Sequence, residues 1–150
     1  MDNVWYNTRG NRKSDVMRVI VAAGGTGGHV YPAIALCEYL MKYKNCEVLF
    51  VGVNGKMEAK VVPSYHIPFL GIDAKGFVGN VTSRVECIKM MLHNKKKMVK
   101  LMKEWKPDIV VGFGGYVSMP VCLGAHSVHV PILLHEQNSV SGLANKVLGS

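Results

Sequence analysis

Four glycines fall within five residues at Gly24-Gly25-Thr26-Gly27-Gly28, directly after the apolar run Val19-Ile20-Val21-Ala22-Ala23. No other feature constrains the fold of this chain as tightly. A short β-rich run that empties into glycines makes a tight loop whose backbone another group can approach closely. His29 follows, and then Pro32-Ala33-Ile34-Ala35-Leu36, which reads as the opening of a helix with proline in its first turn. Strand, glycine loop and helix in that order leave backbone N–H groups and the positive end of a helix dipole pointing outward. That arrangement suits a diphosphate.

The same alternation continues along the chain. Apolar, β-rich runs at 18–23, 47–53, 68–72, 109–112 and 131–135 predict strands, and helical patterns are read at 32–43, 57–62, 82–105, 117–126 and 139–148. The strand runs are continuously apolar rather than alternating, which indicates a sheet buried on both faces and therefore parallel. The expected fold is α/β: a doubly wound, mostly parallel, Rossmann-like sheet, which binds ligands beyond the carboxyl ends of its strands. Two further loops belong to that edge, Gly112-Phe113-Gly114-Gly115-Tyr116 and His135-Glu136-Gln137-Asn138. All three are expected to converge.

The 150 residues suffice for one domain with a core of its own. Residues 1–16 read as a polar, disordered extension without the apolar segment of a secretory signal, and 17–150 as the domain. Four scattered cysteines, Cys37, Cys46, Cys87 and Cys122, form no C-x-x-C pair and read as reduced thiols of a cytoplasmic protein. The net charge is +8, and residues 84–106 hold eight basic side chains against two acidic ones, so most of the excess lies in one helix. A patch of that sign implies an anionic partner. Few aromatic residues and no nucleic-acid motif accompany it, so nucleic acid is not expected. Ile88, Met91 and Leu92 stand at helical spacing beside Lys95, Lys96 and Lys97. The helix packs an apolar face on the sheet, and its lysines suit anionic lipid headgroups.

A nicotinamide-cofactor reading of the first glycine loop is disfavoured. Position 30 is Val where the fingerprint needs Gly or Ala, and the second strand ends Val51-Gly52-Val53 without the acidic residue that binds a ribose. No Gly-Lys-Ser/Thr follows, so it is not a P-loop. His29 is either a general base kept neutral by the helix dipole or a helix-capping histidine. Gly114-Gly115-Tyr116-Val117-Ser118 offers backbone donors, a phenol and a hydroxyl at another helix start; it holds phosphate or simply makes a close strand–helix turn. Glu136 and Asn138 are placed to bond sugar hydroxyls or orient His29, or Asn138 and Ser139 cap the last helix. His135-Glu136 is not a zinc motif, because Ser139 stands where a second His is required.

Together the three loops resemble one family, from about Val19 onward. Gly24-Gly25-Thr26-Gly27-Gly28-His29-Val30-x-Pro32, Gly114-Gly115-Tyr116-Val117-Ser118 and His135-Glu136-Gln137-Asn138 are similar to signatures of the MurG family, in glycosyltransferase family 28. Met57-Glu58, Lys106-Pro107-Asp108 and Gly142-Leu143-Ala144-Asn145-Lys146 are smaller matches. The resemblance implies the N-terminal, acceptor-binding half of a two-domain GT-B enzyme. Such an enzyme transfers N-acetylglucosamine, with inversion and without an essential metal or cofactor, from UDP-N-acetylglucosamine to undecaprenyl-linked muramyl-pentapeptide in peptidoglycan synthesis. It implies donor contacts at Thr26, Gly27, Gly28 and Asn138, a proposed base at His29, an orienting role for Glu136, and an acceptor-diphosphate site at Gly114, Gly115, Tyr116 and Ser118. It also implies a peripheral place on the cytoplasmic face of the bacterial plasma membrane, with contact through Ile88, Met91, Leu92, Lys95, Lys96 and Lys97. The family's donor-binding C-terminal domain is expected in addition, in cis or as a separate chain. Without it the chain is expected to be inactive. The other reading is a non-catalytic subunit that binds the acceptor and recruits a separate UDP-sugar-binding chain to the membrane.

Overall fold

The structure, a computed structural model, describes residues 16–73 and 81–135. The extension expected over 1–16, apart from Val16, lies outside these ranges, as do the helix expected over 139–148 and the smaller motif at 142–146.

Five strands form one parallel sheet: β1 (Arg18–Ala22), β2 (Glu47–Val53), β3 (Phe69–Ile72), β4 (Ile109–Gly112) and β5 (Ile132–Leu134), in the order β3-β2-β1-β4-β5. Ile20 of β1 lies opposite Leu49 of β2 on one side and Val110 of β4 on the other. Four helices connect them: α1 (Gly27–Tyr43), α2 (Met57–Ser64), α3 (Val81–Trp105) and α4 (Ser118–Ser127). β1 to β4 were legible because each is buried through most of its length; β5, at the sheet edge, is apolar but partly exposed.

Successive strand residues serve opposite faces. Val19, Val21, Ala23, Val48 and Phe50 pack under α1 and α2 with Val30, Ala33, Ile34, Cys37 and Val62. Ile20, Ala22, Leu49 and Val51 pack with Met98, Leu101, Met102 and Trp105 of α3 and with Val117, Val121 and Cys122 of the α4 region. The result is a doubly wound three-layer domain. The thiols of Cys37 and Cys122 lie inside it, and burial pushes both up, Cys122 to about 12, so both stay neutral.

Two helix boundaries differ from expectation. α1 begins at Gly27 rather than Pro32, so the glycines themselves enter the helix and Pro32 lies inside it. The His29 and Val30 N–H groups both donate to the Thr26 carbonyl, which closes the first turn there. The carbonyl that loses its partner to Pro32 belongs to Gly28, which is exposed to water. α2 continues through Pro63 to Ser64 instead of stopping at Val62.

The amino edge of the sheet is fastened by one side chain. Arg18 is 5% exposed; its Nε donates to Glu47 Oε2 at 2.8 Å and its Nη1 to the Trp105 carbonyl at 2.6 Å, while the guanidinium lies 5.4 Å from the Trp105 ring centre. Its backbone N–H donates to Asp108 Oδ2 at 2.8 Å. Arg18 therefore links the starts of β1 and β2 and the approach to β4 with the end of α3. Replacing Arg18 with Leu strands the Glu47 carboxylate and the Trp105 carbonyl, and is expected to lower stability by about 2 kcal/mol in urea denaturation. A loss below about 0.5 kcal/mol would reduce the cluster to an ordinary surface ion pair.

Candidate active site at the carboxyl edge

The strand order reverses direction between β1 and β4, and the crevice beyond such a point is where open α/β sheets bind ligands. Both glycine loops leave the sheet there. Phe113 N–H donates to the Ala22 carbonyl at 2.8 Å, so the second loop starts against the end of β1. The loops then touch backbone to backbone: a Cβ added at Gly115 would fall 2.3 Å from the Gly24 carbonyl oxygen. Gly25, Gly114 and Gly115 all have positive φ, at 92°, 104° and 84°. Only glycine satisfies both demands at Gly115.

Ser118 holds the second loop from behind. It is fully buried; its hydroxyl accepts from the Gly114 N–H at 3.0 Å and lies within hydrogen-bond reach of the Gly114 and Ala22 carbonyls at 2.9 and 3.3 Å. This placement makes Ser118 a brace of the loop rather than a group on its surface. Tyr116 reaches to α3, where its hydroxyl donates to the Cys87 carbonyl at 3.3 Å. Burial, and secondarily the nearby Cys87 thiol, raises the Tyr116 phenol above its ordinary value, so it remains a donor at neutral pH.

His29 stands on α1 and faces the second loop. Its Nδ1 lies 3.2 Å from Thr26 Oγ1, and a Cβ added at Gly114 would come within 3.0 Å of its Nε2. The Thr26 hydroxyl thus meets His29 instead of capping α1, which has no side-chain cap and no acidic residue in its first turn. In the tautomer whose Nδ1–H donates to the Thr26 hydroxyl, the Nε2 lone pair lies on the Gly114 side. α4 likewise has no side-chain cap and no acid in its first turn. The Gly27–Gly28 end of α1 and the glycine turn that precedes α4 therefore open on one crevice, with an imidazole between them; the first N–H groups of α4 itself, Ser118 and Met119, are taken by the Gly115 and Tyr116 carbonyls. That combination can hold an anion and accept a proton beside it.

The third loop arrives at the same edge. His135 N–H donates to the Gly112 carbonyl at 2.8 Å, and the His135 ring lies 5.1 Å from that of Phe113. Glu136, Gln137 and Asn138 lie outside the described residues. His126 and His129 are exposed. Among the described residues no three His, Cys, Asp or Glu side chains gather as a metal site.

Glu58, which the sequence offered only within the smaller match Met57-Glu58 and without a role, is fully buried beneath Gly24 and accepts the Val53 N–H through Oε1 at 3.0 Å. A signal existed in Gly52, a glycine inside an apolar strand, which marks a close approach. A Cβ there would meet Glu58 Cγ at 2.6 Å.

α3 divides along its length. Cys87, Asn94, Met98, Leu101, Met102 and Trp105 are buried, whereas Val85, Ile88 and Leu92 are about half exposed, at 47%, 53% and 53%. Lys89 and Lys96 are exposed beside them; Met91, Lys95 and Lys97 are partly covered. The apolar residues of its first half thus face outward instead of joining the core. An open furrow of about 300 Å³ between Leu92 and Val99 is flanked by Lys95 and Lys96. No helix among the described residues is long and apolar enough to cross a membrane.

Residues 19–150 match the glycosyltransferase family 28 N-terminal domain. The chain belongs to glycosyltransferase family 28. A family 28 relative from Lactobacillus gasseri, a UDP-N-acetylglucosamine–N-acetylmuramyl-(pentapeptide) pyrophosphoryl-undecaprenol N-acetylglucosamine transferase, is 45% identical over 88% of this chain and 37% of its own length. The transferase of the same name from Francisella tularensis is 42% identical over 87% of this chain and 35% of its own. The crystal structure of Acinetobacter baumannii MurG superposes with a TM-score of 0.78 at 36% identity, over 89% of this chain and 39% of that one. The chain therefore spans a little over a third of the length of these relatives. Family 28 membership agrees with the resemblance read from the loops and with the doubly wound fold expected from the strands.

The contact between the loops supplies a test. Gly115→Ala is expected to cost about 3 kcal/mol in urea denaturation, combining positive φ with a collision against the Gly24 carbonyl. Gly25→Ala meets nothing within 4 Å and carries the φ cost alone, about 1 kcal/mol. Equal losses at the two positions would remove the backbone contact from the account of the site.

Proposed function

We propose that this chain is the acceptor-binding part of a transferase that moves N-acetylglucosamine from UDP-N-acetylglucosamine to an undecaprenyl-pyrophosphoryl muramyl-pentapeptide. The observation that carries the reading is the meeting of His29 with both glycine loops where the strand order reverses. The N-terminus of α1 binds diphosphate through its first N–H groups, with Thr26, Gly27 and Gly28 facing the donor, and the Gly114–Tyr116 loop faces the acceptor diphosphate. His29 Nε2 takes the proton from the acceptor 4-hydroxyl as that oxygen bonds to the anomeric carbon. The bond from that carbon to the diphosphate breaks, UDP leaves with the electron pair, and the configuration inverts. Thr26 holds the imidazole in the tautomer this step needs. The family resemblance assigns Asn138 a donor contact and Glu136 the orienting of His29. Most of the UDP contact comes from a further, donor-binding domain.

A lipid-linked acceptor places the crevice near a bilayer, and the outward half of α3 suits that contact. Ile88 and Leu92 enter the headgroup region while Lys89, Lys95, Lys96 and Lys97 meet anionic lipids. The protein then sits peripherally on the cytoplasmic membrane face.

Two measurements test the reading. Replacing Lys95, Lys96 and Lys97 together with Gln is expected to weaken sedimentation with phosphatidylglycerol vesicles by about two orders of magnitude, at on the order of 1 kcal/mol per lysine. Unchanged binding removes α3 from the membrane contact. Residues 1–150 alone, given UDP-N-acetylglucosamine and lipid acceptor, are expected to form no product; robust product formation would show that the donor half is dispensable.

A further inference from the structure

Glu58 is a buried acid that the proposed reaction does not use. Two glycines make the room for it. A Cβ at Gly24 would fall 2.6 Å from Oε1, and a Cβ at Gly52 would fall 2.6 Å from Cγ. Oε1 accepts the Val53 N–H, but Oε2 is buried with no hydrogen-bond partner among the described residues. An unsatisfied buried carboxyl oxygen is costly, and an apolar side chain of similar volume would fill the space without that cost. Packing alone therefore does not account for an acid at this place.

The loop above Glu58 has a donor to offer. The Gly24 carbonyl oxygen is turned toward Gly115, on the β4 side. In a trans peptide the N–H points opposite to the carbonyl, so the Gly25 N–H is turned away from Gly115, toward the side where β2 and Glu58 lie. Gly25 has open space where a Cβ would stand and a φ of 92°, so the loop has room to adjust beyond Gly24 while the Gly24 carbonyl stays against Gly115.

Building on the diphosphate reading of the site, we infer that Glu58 is a positioning residue for the glycine loop: it supports Gly24 from beneath, and its free oxygen takes the Gly25 N–H as the loop tightens around bound diphosphate. The carboxyl then has a partner for each oxygen. The next N–H groups, at the N-terminus of α1, stay aimed at the ligand. Removing the acceptor leaves the strands intact but releases the loop from its bound form.

The test uses the 150-residue chain, inorganic pyrophosphate as the probe, and Glu58→Gln, which preserves shape and an acceptor for Val53. Glu58→Gln is expected to melt within a few degrees of the wild type and to bind pyrophosphate roughly tenfold more weakly by calorimetry, the loss of one charge-assisted hydrogen bond. Pyrophosphate is expected to slow hydrogen exchange of the Gly25 amide in the wild type and not in Glu58→Gln. Equal affinity, or weaker binding with the Gly25 protection retained, overturns the inference while leaving the diphosphate site standing. Failure of the wild type to bind pyrophosphate overturns the site and the inference together. Should Glu58→Gln not fold, the wild type decides: a Gly25 amide that gains no protection on binding overturns the proposal.

Discussion

The active edge of this domain depends on the contact of the Gly24 carbonyl with Gly115. β1 and β4 are neighbours in the sheet, and their loops depart toward different helices, so the space between the loops is fixed by the strands beneath them. No side chain fits there. Because the two backbones close that space themselves, the starts of α1 and α4 are drawn to one crevice and His29 comes to rest against Gly114. A residue with a Cβ at Gly115 would part the loops and separate the imidazole from the second glycine turn. The requirement for glycine is therefore geometric before it is chemical.

The opposite edge shows the complementary arrangement. Arg18 is long, charged and nearly enclosed, and it gathers the starts of the strands with the end of α3. Side chains close the amino edge, whereas backbone closes the carboxyl edge. α3 belongs to both worlds. Its last turns lie in the core with Leu101, Met102 and Trp105, while its first half lifts Ile88 and Leu92 into solvent among lysines. Tyr116, hydrogen-bonded to the Cys87 carbonyl, joins that outward half directly to the second glycine loop. A surface that engages α3 is thus mechanically connected to the crevice.

Much of this was legible in the chain. All five strands fall where continuous apolar runs placed them: β1 to β4 are buried for most of their length, and β5 keeps the apolar run although it lies partly exposed at the sheet edge. The start of α1 was not legible: glycine is a poor helix former and proline is ordinarily read as a first-turn residue, yet tertiary packing of Val30, Ala33 and Ile34 carries the helix back to Gly27. The outward half of α3 was only half legible. Val85, Ile88 and Leu92 have the spacing of a core-facing stripe, and spacing cannot say whether anything lies opposite. Glu58 was the least visible, since its importance comes from Gly24, 34 positions earlier in the chain.

Glu58 and Val30 also explain why a glycine loop of this shape does not select a nicotinamide dinucleotide. In such sites a third small residue brings helix and strand together, and an acid at the end of the second strand binds the ribose. Val30 instead packs into the core as a full-sized side chain. The acid does reach the end of β2, but from α2, and it turns inward to the Val53 N–H, where a ribose cannot reach it. On the proposed function, the loop keeps the phosphate-binding half of the dinucleotide arrangement, while the acid of the ribose-binding half serves as internal support. Selection of a nucleoside then has to come from groups other than this loop.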